Sequence, residues 1–323
     1  MTTQSLTFKP PLNVYASCSV DAVMHQVDCL VLKAATGQDK TSTPISGQHL
    51  AQNENACIEA IEYHFTTPGQ KVRAKLCLHA CMQLNVHYDD MLVLAVVSEL
   101  LHNASLIHDD IQDKDETRRG YASVWKKFGV DIAICAGDLL LSTAYGILVN
   151  YSNPKLLPKL ITTINTQTRS AIEGQSGDIA YKHNQKISTE EYVQIAEKKS
   201  GALISLPIEL ALIASDHIEW LEIARKASAN FAVGYQIIDD LEDIEKDASD
   251  ENATQSTNIY FLLKDLGYSN TLHKAALMCN SHLDQAISHA QQLPNGSGSF
   301  LLNLTALQKN KLKILINIKT IQL

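Results

Sequence analysis

The sequence predicts an all-α fold, on three observations. Apolar residues recur at helical spacing over long stretches, most plainly at 93, 96, 97, 100, 104 and 107. Glycine and proline supply only 14 and 8 of the 323 residues, few for a chain of many tight turns. Segments that alternate polar with apolar residues, as half-buried strands do, are scarce.

The elements follow in order. Residues 1–14 read as a loose N-terminal arm closed by Pro10 and Pro11. Residues 18–35 have helical spacing, and 36–50 are a polar, turn-rich connector. A helix from about Glu54 to Phe65 ends at the Pro68-Gly69 break, and another begins near Lys71. A long apolar helix starts near Asp89 and runs into the acidic stretch before Gly120. After a short connector, Val130–Val149 is helical until Asn153-Pro154. Residues 155–181 form a helix closed by His183-Asn184-Gln185. Ser188 or Thr189 with Glu191 has the look of an N-terminal cap, and the helix it opens should continue past a bend near Gly201 and Pro207. Residues 217–247 are one long helix or two, 248–258 a polar loop, and the remainder one or two helices interrupted at 294–299. No fixed-period repeat or linker divides the chain, so 1–323 reads as a single domain.

Composition narrows the function. The apolar share is 45% and the charged share 19%, ordinary for a globular protein. A net charge of −8 argues against a nucleic-acid partner, and any anionic substrate must be drawn by local arginines or bound metal. Seven cysteines (18, 29, 57, 77, 81, 135, 279) are scattered. Cys77 and Cys81 lie one helical turn apart with no partners to complete a zinc quartet, so buried, reduced thiols of a cytosolic protein are expected. The N-terminus lacks the basic start and apolar run of a signal peptide. The apolar runs near 91–101 and 202–214 are each interrupted by a glutamate and read as too short to span a bilayer. A cytoplasmic protein with no integral membrane segment is expected.

Two acidic clusters carry the chemistry. DDIQD at 109–113 recurs in spacing as DDLED at 239–243, each closing an apolar helix. Asp109 and Asp113 lie one turn apart on one face, with Asp110 beside them. His102 precedes Asp109 by seven residues, Gln236 precedes Asp239 by three, and Arg118-Arg119 follow the first cluster. If the two helices face each other, six carboxylates meet, and such charges repel unless cations fill the gap. Mg²⁺ suits that role because it takes oxygen ligands, keeps several waters and is completed by substrate phosphates. Solvent-facing aspartates on helix ends would explain either cluster alone; the matched pair favours a metal site.

HDDIQDKDETRRG and GYQIIDDLEDIEKD resemble the two aspartate-rich motifs of the trans-isoprenyl (polyprenyl) diphosphate synthase family. The resemblance extends to TTPGQKVRA, FGVDIAICAGDLLL, EGQSGD and KKSGAL, over roughly residues 55–245. It implies a helical bundle around a deep central cavity, usually homodimeric. It places Asp109, Asp110, Asp113, Asp239, Asp240 and Asp243 on Mg²⁺ (three ions with substrate bound) and Arg118 on an allylic diphosphate. Arg73, Arg119 and His102 would hold isopentenyl diphosphate. Lys199 and Ser200 match the family's Lys-Thr pair, and Gln175, Asp178 and Gln236 match further cavity residues near the reacting carbons. His64, His79 and His87 match nothing and are expected to be surface or core residues.

Three departures stand out. Gln70 holds the family's lysine position before Arg73, with Lys71 one residue on; Trp125 stands where histidine is common; and the lysines usual after the second motif are missing beyond Lys246. At positions −5 and −4 from Asp109 stand Ala104 and Ser105, where short-chain members often carry an aromatic. A linear product of twenty or more carbons is therefore expected, with Leu101 or Tyr145 as alternative floors. A class I terpene cyclase would share the first cluster but normally replaces the second DDxxD. A non-catalytic partner subunit of another synthase would explain the missing lysines but not six intact aspartates.

Overall fold

The computed structural model describes residues 19–37, 56–67, 69–184, 187–248 and 258–322. The arm at 1–14, the connector beyond Gly37, the loop at 249–257, Cys18 and Pro68 lie outside the described residues. The expected all-α class holds: among the described residues the elements are helices apart from one two-stranded hairpin. They gather into two compact units, residues 1–78 with 86–161, and residues 79–85 with 162–323.

The first unit contains α1 (Val20–Thr36), α2 (Ala56–Thr66), the start of α3 (Val72–Gln83), α4 (Tyr88–Gln112), α5 (Val124–Phe128) and α6 (Val130–Gly146). Ser19 caps α1 by accepting the Ala22 N–H, and Gly37 ends it at φ +67°, a left-handed conformation that glycine adopts without a Cβ penalty. α4 is the axis, packed on α6 and α1 and buried without a break from Asp90 to Leu101. A helix apolar all round belongs inside a core. Asp90, buried near its start, is satisfied by the N–H and hydroxyl of Ser152 (2.7 and 2.6 Å). Contrary to the expected connector after Gly120, Thr117–Arg118 (β1) pairs antiparallel with Tyr121–Ala122 (β2). Its turn residues Arg119 and Gly120 have φ of 53° and 83°, the pairing of positive φ values that a two-residue hairpin loop needs.

The second unit contains α7 (Leu157–Asn184) from Thr162 on, α8 (Thr189–Ala196), a π-helical turn (Glu197–Gly201), α9 (Ala202–Ala214), α10 (Leu221–Glu242), α11 (Ile244–Ala248), α12 (Ile259–Asp265), α13 (Thr271–Gln292) and α14 (Ser299–Gln322). The expected cap is Ser188, in a complete capping box with Glu191. The expected bend near Gly201 is the π turn, while Pro207 lies inside α9 without ending it. α10 packs on α13, α9 and α14. Gly234 lets α13 approach, since a Cβ there would overlap Leu283, and the Cys279 thiol donates to the Gly234 carbonyl. One or two C-terminal helices were expected; three form, because Gly267 (φ +84°) stops α12 and Pro294–Gly296 separates α13 from α14.

The helices Tyr88–Gln112 and Val130–Asn150 are each long and apolar enough to cross a membrane by length and composition alone, a test that buried core helices also pass; 78% and 33% of their apolar windows are buried in protein. One further expectation needs correction. Cys77, Cys81 and Cys279 are buried as expected, but Cys29 and Cys135 are exposed, on the outward faces of α1 and α6. His64 is a buried core residue, His79 stacks on Phe300 at 4.5 Å, and His87 is exposed.

Candidate active site

In the first unit the site begins where α4 ends. Asp113 is the last helical cap, its N–H on the Asp109 carbonyl. Lys114 turns left-handed (φ 58°), and the N–H groups of Lys114 and Asp115 return to the carbonyls of Ile111 and Asp110. That is the Schellman closure, made here without glycine. It stops the helix directly after the acids and turns the chain into the hairpin, which brings Arg118 back onto Asp110. Arg118 Nε donates to both Asp110 oxygens (2.8 and 2.9 Å) and Nη2 donates to Oδ1 at 2.5 Å. Burial pushes the Asp110 carboxyl up and the guanidinium pulls it back. Asp109 and Asp113 are partly exposed.

Beside the acids lies a group of positive residues. Arg73, in the first turn of α3, places Nη1 3.2 Å from His102 Nε2. Burial and then the charges of Arg73 and Arg119 hold His102 well below the ordinary histidine range, so Nε2 is a neutral acceptor. Arg119 lies against Gly69, where a Cβ would overlap its guanidinium. Gly69 is therefore a cradle for an arginine. Gln70 is exposed, and Lys71 (φ 52°) is ion-paired to Asp28 of α1.

In the second unit the π turn carries Lys199 and Ser200, and Lys199 Nζ is 2.6 Å from Asp178 Oδ2. Extra turns of this kind cluster at functional positions. Gln175, one turn before Asp178, is buried, and neither its amide nitrogen nor its oxygen has a hydrogen-bond partner among the described residues. Asp240 is held by three donors. Gln236 Nε2 donates to Oδ1, while the Tyr192 hydroxyl and the Ile259 N–H donate to Oδ2, all at 2.8 Å. Asn258, the cap of α12, donates to the Asp240 carbonyl and to Asp247. Burial pushes Asp239 up to about 6 and Asp240 up to about 7. Asp243 caps α10, with Lys246 3.8 Å away. Asp178, Tyr192, Lys199 and Gln236 line a cavity of about 150 Å³.

The expected residues thus fall into two groups. Asp109, Asp110, Asp113, Arg73, His102, Arg118 and Arg119 come together in the first unit; Gln175, Asp178, Lys199, Ser200, Gln236, Asp239, Asp240 and Asp243 belong to the second. Sequence reasoning missed Tyr192, Asn258, Asn103 and Glu99. Only Glu99, an acid inside an apolar run, gave a signal. The donor set suits Mg²⁺: carboxylate oxygens, partly exposed at Asp109, Asp113 and Asp239 and exposed at Asp243, beside the buried Asp110 and Asp240. Among the described residues no three His, Cys, Asp or Glu side chains converge into a complete metal cage; Mg²⁺ takes one or two carboxylates and completes its shell with water and phosphate.

The family model for polyprenyl synthetase matches residues 54–259, and the chain belongs to that family. It is 30% identical over 198 residues to a geranylgeranyl pyrophosphate synthase of Geoglobus acetivorans, covering 60% of this chain and 61% of the relative. It is 29% identical over 245 residues to an all-trans-nonaprenyl-diphosphate synthase of Rhodobacter capsulatus, covering 75% and 72%. The chain spans about three fifths of the length of the first of these relatives. Among solved structures, the Geoglobus acetivorans geranylgeranyl pyrophosphate synthetase superposes with a TM-score of 0.74 at 21% identity, covering 90% of this chain and 99% of that one. A decaprenyl diphosphate synthase from Rhodobacter capsulatus gives 0.75 at 16%, covering 91% and 97%. At these identities the likeness is one of fold.

Proposed function

We propose that the chain is a trans-prenyltransferase that joins isopentenyl diphosphate to an allylic diphosphate, giving a linear product of at least twenty carbons. The observation that carries this reading is the pair of acid clusters on α4 and α10, each with its second aspartate already pinned: Asp110 by Arg118, Asp240 by Gln236, Tyr192 and Ile259. Pinning the second acid leaves the first and last of each cluster, Asp109 with Asp113 and Asp239 with Asp243, on the partly exposed side. Mg²⁺ bound there would neutralise a diphosphate leaving group.

This chain's own residues do the rest. Arg118 turns one donor edge to Asp110 and offers its remaining donors to phosphate oxygens, for which a guanidinium fork is suited. Arg73, Arg119 and His102 hold isopentenyl diphosphate. In the second unit, Gln175, Lys199, Ser200 and Gln236 offer dipoles and charge, preorganised so that no reorganisation is needed as charge develops. The allylic carbon–oxygen bond breaks with its electron pair leaving on pyrophosphate. The alkene of isopentenyl diphosphate supplies the pair for the new carbon–carbon bond, and the departing pyrophosphate takes the proton released. A homodimer working in the cytoplasm completes the reading.

The test is incubation of the purified chain with Mg²⁺, isopentenyl diphosphate and dimethylallyl, geranyl or farnesyl diphosphate, with chromatography of the dephosphorylated products. Elongation to twenty or more carbons is expected. Cyclised hydrocarbon would select a cyclase instead. No elongation from any primer would point to a partner subunit, a reading that Gln70 and the Asp28-bound Lys71 favour.

A further inference from the structure

Glu99 has no role in the reaction as drawn above. It sits in the middle of α4, ten residues before Asp109, and is only 6% exposed. Its two oxygens are engaged on different sides. Oε2 accepts the N–H of Ala74 (3.3 Å), in the first turn of α3 and next to Arg73. Oε1 accepts Asn103 Nδ2 (3.1 Å), whose other contact is the Glu99 carbonyl at 2.7 Å. Asn103 is itself oriented: its Oδ1 faces His64 Nε2 at 2.8 Å. Because Nδ2 is spent on Glu99, Oδ1 must accept, so the proton of the neutral imidazole lies on Nε2. The order His64, Asn103, Glu99, Ala74 is one buried hydrogen-bonded chain, and each member fixes the next.

The chain ends under the cationic group. Arg73, Arg119 and Arg118 each oppose protonation of His102, and Arg118 repels Arg119. Arg118 has Asp110 as its counter-charge. Burial pushes the Glu99 carboxyl up, while the Asn103 hydrogen bond, the Arg73 charge and the Ala74 N–H pull it back toward the ionised form; Glu99 in turn offsets part of the lowering at Arg119. Without Glu99, Arg119 would be offset by Asp110, which Arg118 already holds, and Arg73 would lose the acid that bonds its own helical turn.

We infer that Glu99 is a positioning residue for the isopentenyl diphosphate site: a fixed buried counter-charge that keeps Arg73 and Arg119 together, aimed at one diphosphate, before that diphosphate arrives. The inference rests on the prenyltransferase reading. It makes a prediction whose sign is opposite to that of simple charge counting. If Glu99 were only a nearby negative charge, removing it would tighten binding of an anion. As the anchor of the two arginines, its removal loosens binding, because the arginines separate and must be regathered at the ligand's cost.

The experiment is calorimetric titration of isopentenyl diphosphate into the full chain and into Glu99→Gln, Glu99→Asp and Asn103→Ala, with steady-state KM measured for each substrate separately. Glu99→Gln is expected to weaken isopentenyl diphosphate about tenfold in Kd and KM while the allylic KM stays within about twofold. Glu99→Asp, which keeps the charge, should recover most of the loss. Asn103→Ala, which keeps the acid but frees it, should cost about threefold and remains informative if Glu99→Gln does not fold. Equal or tighter binding of isopentenyl diphosphate by Glu99→Gln or Asn103→Ala overturns the positioning role. Loss of affinity for both substrates alike also overturns it, since that marks a general structural defect. Failure of the unaltered chain to bind isopentenyl diphosphate sinks the prenyltransferase reading and this inference with it, and is distinguishable because it appears before any substitution is made.

Discussion

His64 and Gln175 are buried polar residues with opposite accounts. His64 is satisfied, donating to Asn103, and burial holds its imidazole at about 4 against an ordinary 6.5. Between those values the unfolded chain takes up a proton that the folded chain does not, so stability contributed by the neutral ring is present above pH 6.5 and is lost as pH falls toward 4. The loss at the bottom of that window is on the order of 3 kcal/mol for a shift of this size. Asp239 and Asp240, raised to about 6 and about 7, titrate with the reverse sign in part of the same window. The measurement is therefore a comparison: thermal melts from pH 7 to 4 should fall less steeply in His64→Gln, which keeps a side-chain N–H for Asn103, than in the unaltered chain. Gln175 is the unsatisfied case, with two amide atoms buried and unpartnered among the described residues. Leaving such atoms unpaired costs roughly 1–3 kcal/mol each, a cost the fold has no structural reason to carry. Gln175→Leu should raise the melting temperature by a few degrees and cut elongation at least tenfold; an unchanged rate would remove Gln175 from the site.

Between elements, two glycines show how the helices set the site. At Gly137 of α6 an added Cβ would meet the ring of His108, the end of a side chain that can swing away. At Gly174 of α7 it would overlap the backbone nitrogen of Lys199 in the π turn, which cannot move without taking Lys199 off Asp178. Gly174→Ala is thus expected to cost about 1–3 kcal/mol by overpacking and to lower kcat further than its loss of stability explains, while Gly137→Ala costs less. Chemical denaturation with parallel rate measurements separates the two. Much of this was legible in the sequence. Apolar spacing placed α4 and α10, Ser188 with Glu191 placed the start of α8, and matched DDxxD spacing found both acid clusters. What escaped depended on contacts distant in sequence or on unusual backbone. The Arg119-Gly120 turn lacks the usual Asn-Gly signal, the α4 closure uses Lys114 rather than glycine, and Tyr192 and Ile259 reach Asp240 from 48 and 19 residues away. The split of the C-terminal region at Gly267 was visible only as one glycine in a helical pattern, which is a weak signal.

Across the whole molecule, the question is how far the reaction runs. The net charge is −8, so the diphosphate substrates proposed above would be drawn by a local field around Arg73, Arg118 and Arg119 rather than by the protein at large, and raised salt should weaken their capture. On the proposed reaction, the growing hydrocarbon would extend away from the acids. On α4, residues four and five before Asp109 lie roughly 6–8 Å along the helix axis from it at about 1.5 Å per residue. The structure separates the two positions that the sequence treated alike. Ala104 is 4% exposed and packed in the core, whereas Ser105 is partly exposed, its hydroxyl donating back to the His102 carbonyl at 2.8 Å. A phenyl ring at 104 would displace neighbours at a cost of about 1–3 kcal/mol, and any product change there would be confounded by instability. A ring at 105 has space to enter without unfolding the helix. Ser105→Phe should therefore keep the melting temperature within about two degrees and shorten the main product by at least one five-carbon unit. Chromatography of the dephosphorylated products with excess isopentenyl diphosphate reads the outcome. A product of unaltered length from the folded variant would place the floor elsewhere, at Leu101 or Tyr145, and would leave Ser105 as a residue that only closes a turn of α4.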